Sequence, residues 1–85
     1  MVKVEVYSKM VCPFCVRAKA LLSHKGVEYT EIMVDQDPEK LDEMLMRSEG
    51  KRTVPQIFIG DQSIGGFDEL WTLEQQGELD KLLGK

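Results

Sequence analysis

The stretch Lys9-Met10-Val11-Cys12-Pro13-Phe14-Cys15 contains both cysteines of the chain, two residues apart. A strand-like run precedes it, and the helix-like run Pro13–Lys25 follows it. A Cys-x-x-Cys in this setting is typical of thioredoxin-like redox motifs. Cys12 falls at the start of the helix, where free backbone N–H groups and the helix dipole stabilise the nucleophilic thiolate. Cys15 lies one turn later on the same face, close enough to form a disulfide with Cys12.

The cysteine pair has two other conceivable uses, a static disulfide and a metal site. A permanent bridge across so short a loop removes little entropy from the unfolded chain and stabilises little. A tetrahedral zinc site normally needs four ligands, and the chain offers two cysteines and one histidine, His24. His24 falls in the last turn of the predicted helix, and we interpret it as a surface residue. These considerations favour a redox pair, and Lys9 adds a positive charge near it.

Length and composition indicate a single domain, residues 1–85, with 31% charged and 42% hydrophobic residues. The net charge is −4 and no basic cluster is present, so we expect no nucleic-acid partner. No apolar run reaches the roughly 20 residues that span a bilayer, and the N-terminus lacks the features of a signal peptide. We therefore expect a cytoplasmic monomer, in a compartment where a disulfide is more often catalytic than structural.

The first half of the chain predicts a βαβ unit. The run 2–7 alternates apolar and polar residues, which indicates a strand with one buried face. The helix 13–25 follows, and the β-branched and aromatic run 27–34 predicts a second strand. Such a unit implies parallel pairing and a right-handed crossover. The residues expected on the apolar side of the helix are Val16, Ala18, Leu21 and Leu22.

The second half predicts a helix, a hairpin and further helices. Asp37 is a good N-cap for a helix that runs to about Ser48, with Leu41, Met44 and Leu45 as its buried stripe. We interpret Met44 and Met46 as core and flank rather than as metal ligands. Residues 56–65 read as a hairpin. A helix from Phe67 to about Gln76 comes next, and a short helix closes the chain. The residues expected on the apolar sides of these helices are Leu70, Trp71, Leu73, Leu79, Leu82 and Leu83.

Two segments of this second half are candidates for ligand binding. A proline belongs at the beginning of a strand, and a cis Val54-Pro55 bond would leave the Val54 backbone as a free edge for an extended peptide. Gly65-Gly66-Phe67-Asp68 opens a helix. Its N–H groups suit a carboxylate, and Asp68 suits an amine. The alternative is a plain turn followed by an N-capping aspartate, and the weak Gly-Gly-x-Asp pattern taken alone favours that alternative.

Three segments together, Lys9-x-x-Cys12-Pro13-Phe14-Cys15, Thr53-Val54-Pro55 and Gly65-Gly66-Phe67-Asp68, resemble the glutaredoxin family, specifically its small dithiol bacterial-type members. The resemblance covers essentially the whole chain. It implies an α/β thioredoxin fold, a four-stranded mixed sheet of order 2-1-3-4 with helices on both faces. It also implies an enzyme, a glutathione-dependent thiol–disulfide oxidoreductase that reduces protein disulfides and glutathione mixed disulfides. Glutathione is its co-substrate, and no metal is expected.

The resemblance further implies the role of each site residue. Cys12 is the nucleophile and Cys15 the resolving thiol. Thr53, Val54 and cis Pro55 form the edge that pairs with the cysteinyl part of glutathione. Gly66, Phe67 and Asp68 hold the γ-glutamyl end, and Lys9 faces the glycine carboxylate. Phe14 stands where many members have tyrosine, so its ring packs without a hydroxyl. Family members often add an arginine or glutamine from the second helix, but Lys40-Leu41-Asp42 gives no such assignment.

Two rival functions remain open at this point. One is a carrier in which two chains and two glutathiones ligate a [2Fe–2S] cluster, although Pro13 after the nucleophile disfavours it. Monothiol cluster-binding members typically have Cys-Gly-Phe-Ser, whereas the fourth residue here is Cys15. The other is an electron donor, reduced by thioredoxin reductase, that serves one dedicated enzyme such as ribonucleotide reductase. Such donors usually lack the Gly-Gly-x-Asp pattern. Its presence favours glutathione as the electron source, with glutathionylated or disulfide-containing proteins as partners.

Overall fold

The order of strands and helices along the chain is the predicted one. The computed structural model describes residues 2–85. The strands are β1 (Val4–Ser8), β2 (Thr30–Met33), β3 (Gln56–Ile59) and β4 (Gln62–Gly65), and the helices are α1 (Pro13–His24), α2 (Pro38–Arg47), α3 (Phe67–Gln75) and α4 (Leu79–Leu82). Within the described range no helix is long and apolar enough to cross a membrane.

The four strands form one mixed sheet in the order β2-β1-β3-β4. β1 pairs in parallel with β2 and antiparallel with β3, and β3 pairs antiparallel with β4. The predicted thioredoxin-type topology is therefore confirmed. These directions bring the carboxyl end of β1, the amino end of β3 and the carboxyl end of β4 to the same edge of the sheet. The segments 9–12, 53–55 and 65–68, which are far apart in sequence, follow or precede those ends.

Helices cover both faces of the sheet. The larger core lies against α1, α3 and α4, and the smaller one lies beneath α2. The buried residues of the larger core are Val4, Val6, Ala18, Leu22, Ile57, Ile59, Leu70, Leu79 and Leu83. Those of the smaller core are Tyr7, Val34, Met44 and Phe58. Hydrophobic burial on both faces fixes the position of the central strands β1 and β3.

The prediction that β1 buries only one face was wrong. All five of its residues are buried, because α2 covers the face that carries Glu5 and Tyr7. Glu5 is only 8% exposed, and its carboxylate accepts a hydrogen bond of 2.9 Å from the Arg47 guanidinium of α2. A buried carboxylate is tolerated where a cation and a hydrogen bond compensate for its lost hydration. Glu5 and Tyr7 of β1 therefore make polar contacts with α2 and do not face solvent.

Three side chains assigned to apolar helix faces, or to their flank, are exposed instead. Val16 is 60% exposed and Trp71 44%, so neither belongs to the core, and Met46 of α2 is 83% exposed. In α1 the buried positions are Cys15, Ala18 and Leu22, a spacing of three and four that leaves Val16 on the outer side. The surface location predicted for His24 is confirmed.

β2 is shorter than the predicted strand 27–34. It begins at Thr30, where the parallel pairing with Glu5 of β1 begins. Val27 and Tyr29 precede that point and pack against the larger core without joining the ladder. The high strand propensity of Val27 and Tyr29 therefore led to a predicted strand that is longer than the segment paired with β1.

Candidate active site

Cys12 is the N-cap of α1, as the sequence predicted. Its backbone is extended (φ −153°, ψ 96°), and Pro13 occupies the first helical position. The Cys15 N–H donates a hydrogen bond of 3.1 Å to the Cys12 Sγ. This sulfur therefore takes the place that a Ser or Asp oxygen takes in an ordinary N-cap. The two cysteines are joined in a disulfide, with their Cα atoms 5.2 Å apart.

The two sulfurs differ in access and in surroundings. Cys12 is 7% exposed and Cys15 1%, so an incoming molecule meets Cys12 first. The Cys12 Sγ lies 3.7 Å from the Val54 carbonyl oxygen, across 42 residues of sequence. The redox pair therefore borders the segment that precedes β3.

Thr53, Val54 and Pro55 form this second segment, and the Val54-Pro55 bond is cis. Thr53 is exposed, Val54 is half-buried and Pro55 is buried. Among residues 2–85, no hydrogen bond engages the Val54 N–H. An N–H beside a groove needs a partner from solvent or from a ligand, so the backbone here is available for pairing.

The N-terminus of α3 forms the third segment. Gly66 is the N-cap, and its N–H donates a hydrogen bond of 2.7 Å to the carboxylate of Glu69. Gly65 has a φ of +109°, and a Cβ atom there would lie 2.6 Å from the same carboxylate. The positive φ disfavours any side chain at position 65, and a Cβ atom there would also displace the Glu69 carboxylate from the Gly66 N–H. The alternative in which Asp68 caps the helix is wrong, because Asp68 is the second helical residue.

These segments border a groove of about 180 Å³, and the carbonyl oxygen of its lining residue Val54 is the atom that lies 3.7 Å from the Cys12 sulfur. It is lined by Phe14, Thr53, Val54, Pro55, Gly66, Phe67, Asp68 and Glu69. All of the predicted ligand-binding residues except Lys9 line this groove. Lys9 is exposed in the loop between β1 and α1. Glu69 was not among the predicted site residues, although a glutamate three residues after an N-cap has the spacing of a capping box.

An aromatic row extends from the redox pair along α1 and α3. The Phe14 and Phe67 rings stack with centroids 6.4 Å apart, and Phe67 and Trp71 continue the stack at 6.3 Å. The Arg17 guanidinium lies 5.4 Å from the centroid of the Phe14 ring. The Phe14 ring thus packs without needing a hydroxyl, and it forms one wall of the groove.

The sheet order and a Cys-x-x-Cys pair at the start of α1 define a thiol–disulfide oxidoreductase of the thioredoxin-like class. A comparison with family models is more specific. Residues 4–64 match the model described as Glutaredoxin. The chain belongs to the glutaredoxin family.

Curated relatives and solved structures agree with this assignment. The chain is 54% identical over 83 residues to Glutaredoxin 3 of Escherichia coli (strain K12), which covers 98% of this chain and 99% of that protein. It is 53% identical over 81 residues to a probable glutaredoxin of Synechocystis, covering 95% and 74%. The solution structure of glutaredoxin from Brucella melitensis aligns with a TM-score of 0.84 at 50% identity, covering 100% and 94%. A buckwheat glutaredoxin–glutathione complex aligns with a TM-score of 0.87 at 35% identity, covering 98% and 77%.

Proposed function

We propose that this protein is a glutathione-dependent oxidoreductase of the cytoplasm that removes glutathione from mixed disulfides and reduces protein disulfides. The observation that carries the proposal is the position of the Cys12 sulfur. It lies 3.7 Å from the carbonyl of Val54, and Val54 lines a groove that ends at the N-terminus of α3. A peptide-like thiol laid in this groove has its sulfur next to Cys12 and its charged end at the helix.

The groove offers a partner for each part of glutathione. The free N–H of Val54 suits the cysteinyl backbone, in the manner of strand addition. The first N–H groups of α3, from Phe67 and Asp68, suit the α-carboxylate of the γ-glutamyl end, and the exposed Asp68 carboxylate suits its α-amine. Lys9 is the proposed partner of the glycine carboxylate. It lies outside the groove lining, and in the described part of the chain it makes no ion pair.

Each step of the proposed reaction is a thiol–disulfide exchange. The Cys12 thiolate attacks the glutathione sulfur of a mixed disulfide. The Cys12–glutathione bond forms, the old S–S bond breaks, and the target leaves as a thiolate that takes a proton from water. The thiolate of a second glutathione attacks the bound glutathione sulfur, which releases glutathione disulfide and restores the Cys12 thiolate. With a protein disulfide, Cys12 attacks first and Cys15 then displaces the target, closing the Cys12–Cys15 disulfide that two glutathiones reduce.

A coupled assay with glutathione, glutathione reductase, NADPH and a small glutathione mixed disulfide tests this proposal. We expect steady NADPH consumption with the wild-type protein. Cys15→Ser should retain at least about half of the rate, because the second glutathione attacks Cys12 directly. Cys12→Ser should lose more than about 99% of it, because the nucleophile is gone.

Two outcomes would overturn the proposal. Activity that survives in Cys12→Ser would show that another group is the nucleophile. No turnover by the wild type, together with reduction of its disulfide by thioredoxin reductase, would make the protein a donor of the thioredoxin type. Gly66–Asp68 would then be only a helix start.

A further inference from the structure

The segment that forms one wall of the groove is held by side chains rather than by its own backbone. Within residues 2–85, Lys51–Pro55 make no backbone–backbone hydrogen bond. Ser48, which is 2% exposed, donates a hydrogen bond from its hydroxyl to the Lys51 carbonyl and accepts one from the Lys51 N–H. Thr53 is held from the other side, by Gln56. The path of the segment therefore depends on a small number of buried polar side chains.

Gln56 contacts Thr53 at two points. Its Nε2 atom donates to the Thr53 carbonyl oxygen at 2.8 Å and to the Thr53 Oγ1 at 3.1 Å. Gln56 is 1% exposed and is the first residue of β3, where it pairs with Tyr7 of the central strand β1. The amide is thus anchored where the two central strands pair. It fixes the residue that precedes Val54.

Burial of the Gln56 amide costs free energy, and a side chain that only fills space would not need an amide here. Its Oε1 atom is buried without a hydrogen-bond partner, and an unsatisfied buried acceptor costs about 1–3 kcal/mol. A methionine or leucine side chain fills a similar volume without that cost. The buried amide has an explanation if its Nε2 hydrogen bonds hold Thr53 in place beside the groove.

We propose that Gln56 is a positioning residue for glutathione, acting through Thr53 to align the Val54 backbone with the cysteinyl part of the ligand. The inference rests on the proposed function. Gln56 does not line the groove, so it need not touch the ligand. Its two hydrogen bonds restrict Thr53, and a restricted edge loses less conformational entropy when an extended ligand pairs with it.

Steady-state kinetics of Gln56→Met and Gln56→Leu test this role. With the glutathione mixed disulfide as the varied substrate, we expect KM to rise about tenfold while kcat stays within about twofold, the pattern of lost ground-state binding. The melting temperature should change little, because the removal of an unsatisfied buried acceptor offsets the loss of the two hydrogen bonds to Thr53. Gln62→Met, at an exposed position of β4, is the matched control and should keep the wild-type KM.

Backbone order parameters from NMR relaxation provide a readout that a purely structural role would not give. The order parameters of Thr53 and Val54 should fall in the two Gln56 variants, while those of β1 and β3 keep their wild-type values. Unchanged KM in a folded variant, or loss of folding in both variants, would overturn the inference. An absence of glutathione turnover in the wild type would instead refute the proposed function, so the two failures are distinguishable.

Discussion

At the residue scale, Cys12 combines two functions that other helices give to different groups. It caps α1 with its sulfur, and in the proposed reaction the same sulfur is the nucleophile. A cap atom accepts hydrogen bonds from N–H groups of the first turn, and the positive end of the helix dipole lies next to that atom. Both effects favour the thiolate over the thiol. The disulfide form already shows the N–H of Cys15 directed at the Cys12 sulfur at 3.1 Å.

We therefore expect the reduced protein to have a Cys12 thiol with a pKa clearly below the value of about 8.5 of free cysteine. The pKa of Cys15 should be ordinary or raised, because this residue is 1% exposed and burial disfavours a charge. Thiolate absorbance followed against pH separates the two in Cys15→Ser and Cys12→Ser, which each keep one thiol. A lower pKa for Cys15 than for Cys12 would contradict the assignment of the nucleophile.

At the element scale, α2 is attached to the sheet by a polar network as well as by its apolar stripe. The Tyr7 hydroxyl donates to Glu43 of α2, and Arg47 donates to the Tyr7 oxygen at 2.8 Å. The Arg47 guanidinium also lies 4.1 Å from the centroid of the Phe58 ring. Burial, followed by the hydrogen bond to Glu43, raises the pKa of Tyr7 from 10.0 to about 12. The phenol is therefore held in its neutral form in the folded protein.

This shift predicts a loss of stability in alkaline solution. Between pH 10 and 12 the folded state keeps the Tyr7 proton and the unfolded state releases it, so the free energy of unfolding falls as the pH rises. A two-unit difference corresponds to about 2–3 kcal/mol. Denaturant unfolding at several pH values should show a markedly smaller decline in Tyr7→Phe. Tyr29→Phe, at the other tyrosine, should keep the wild-type decline, and equal slopes in all three proteins would refute the explanation.

For the molecule as a whole, the order of strands and helices was predictable from the sequence, but the burial of individual side chains was not. The hairpin, the βαβ unit and the helix starts have local patterns, such as Asp37-Pro38 before α2. The burial of both faces of β1 depends on where α2 packs, and nothing in the sequence of β1 encodes that. The exposure of Val16 and Trp71 has the same origin. The sequence of a helix identifies its apolar residues, but it does not say which of them pack against the sheet.

The candidate site also has a part that the sequence predicts and a part that it does not. The cysteine pair and the three segments of the groove were identifiable because each has a motif, and the strand directions bring them to one edge of the sheet. Gln56 has no such signal. Its importance comes from the path of the loop 48–55 and from hydrogen bonds that only the folded chain reveals. Lys9 remains a prediction, since its exposed side chain does not line the groove.

The proposed mechanism requires that Cys12 attacks the glutathione sulfur of a mixed disulfide, and mass spectrometry of the trapped intermediate decides whether this claim holds. The Cys15→Ser variant, mixed with a glutathionylated peptide in the absence of free glutathione, should gain one glutathionyl group on Cys12 and release the peptide as a free thiol. A peptide attached to Cys12, with glutathione released, would contradict the claim. That result would show that the groove does not hold glutathione in the orientation proposed here.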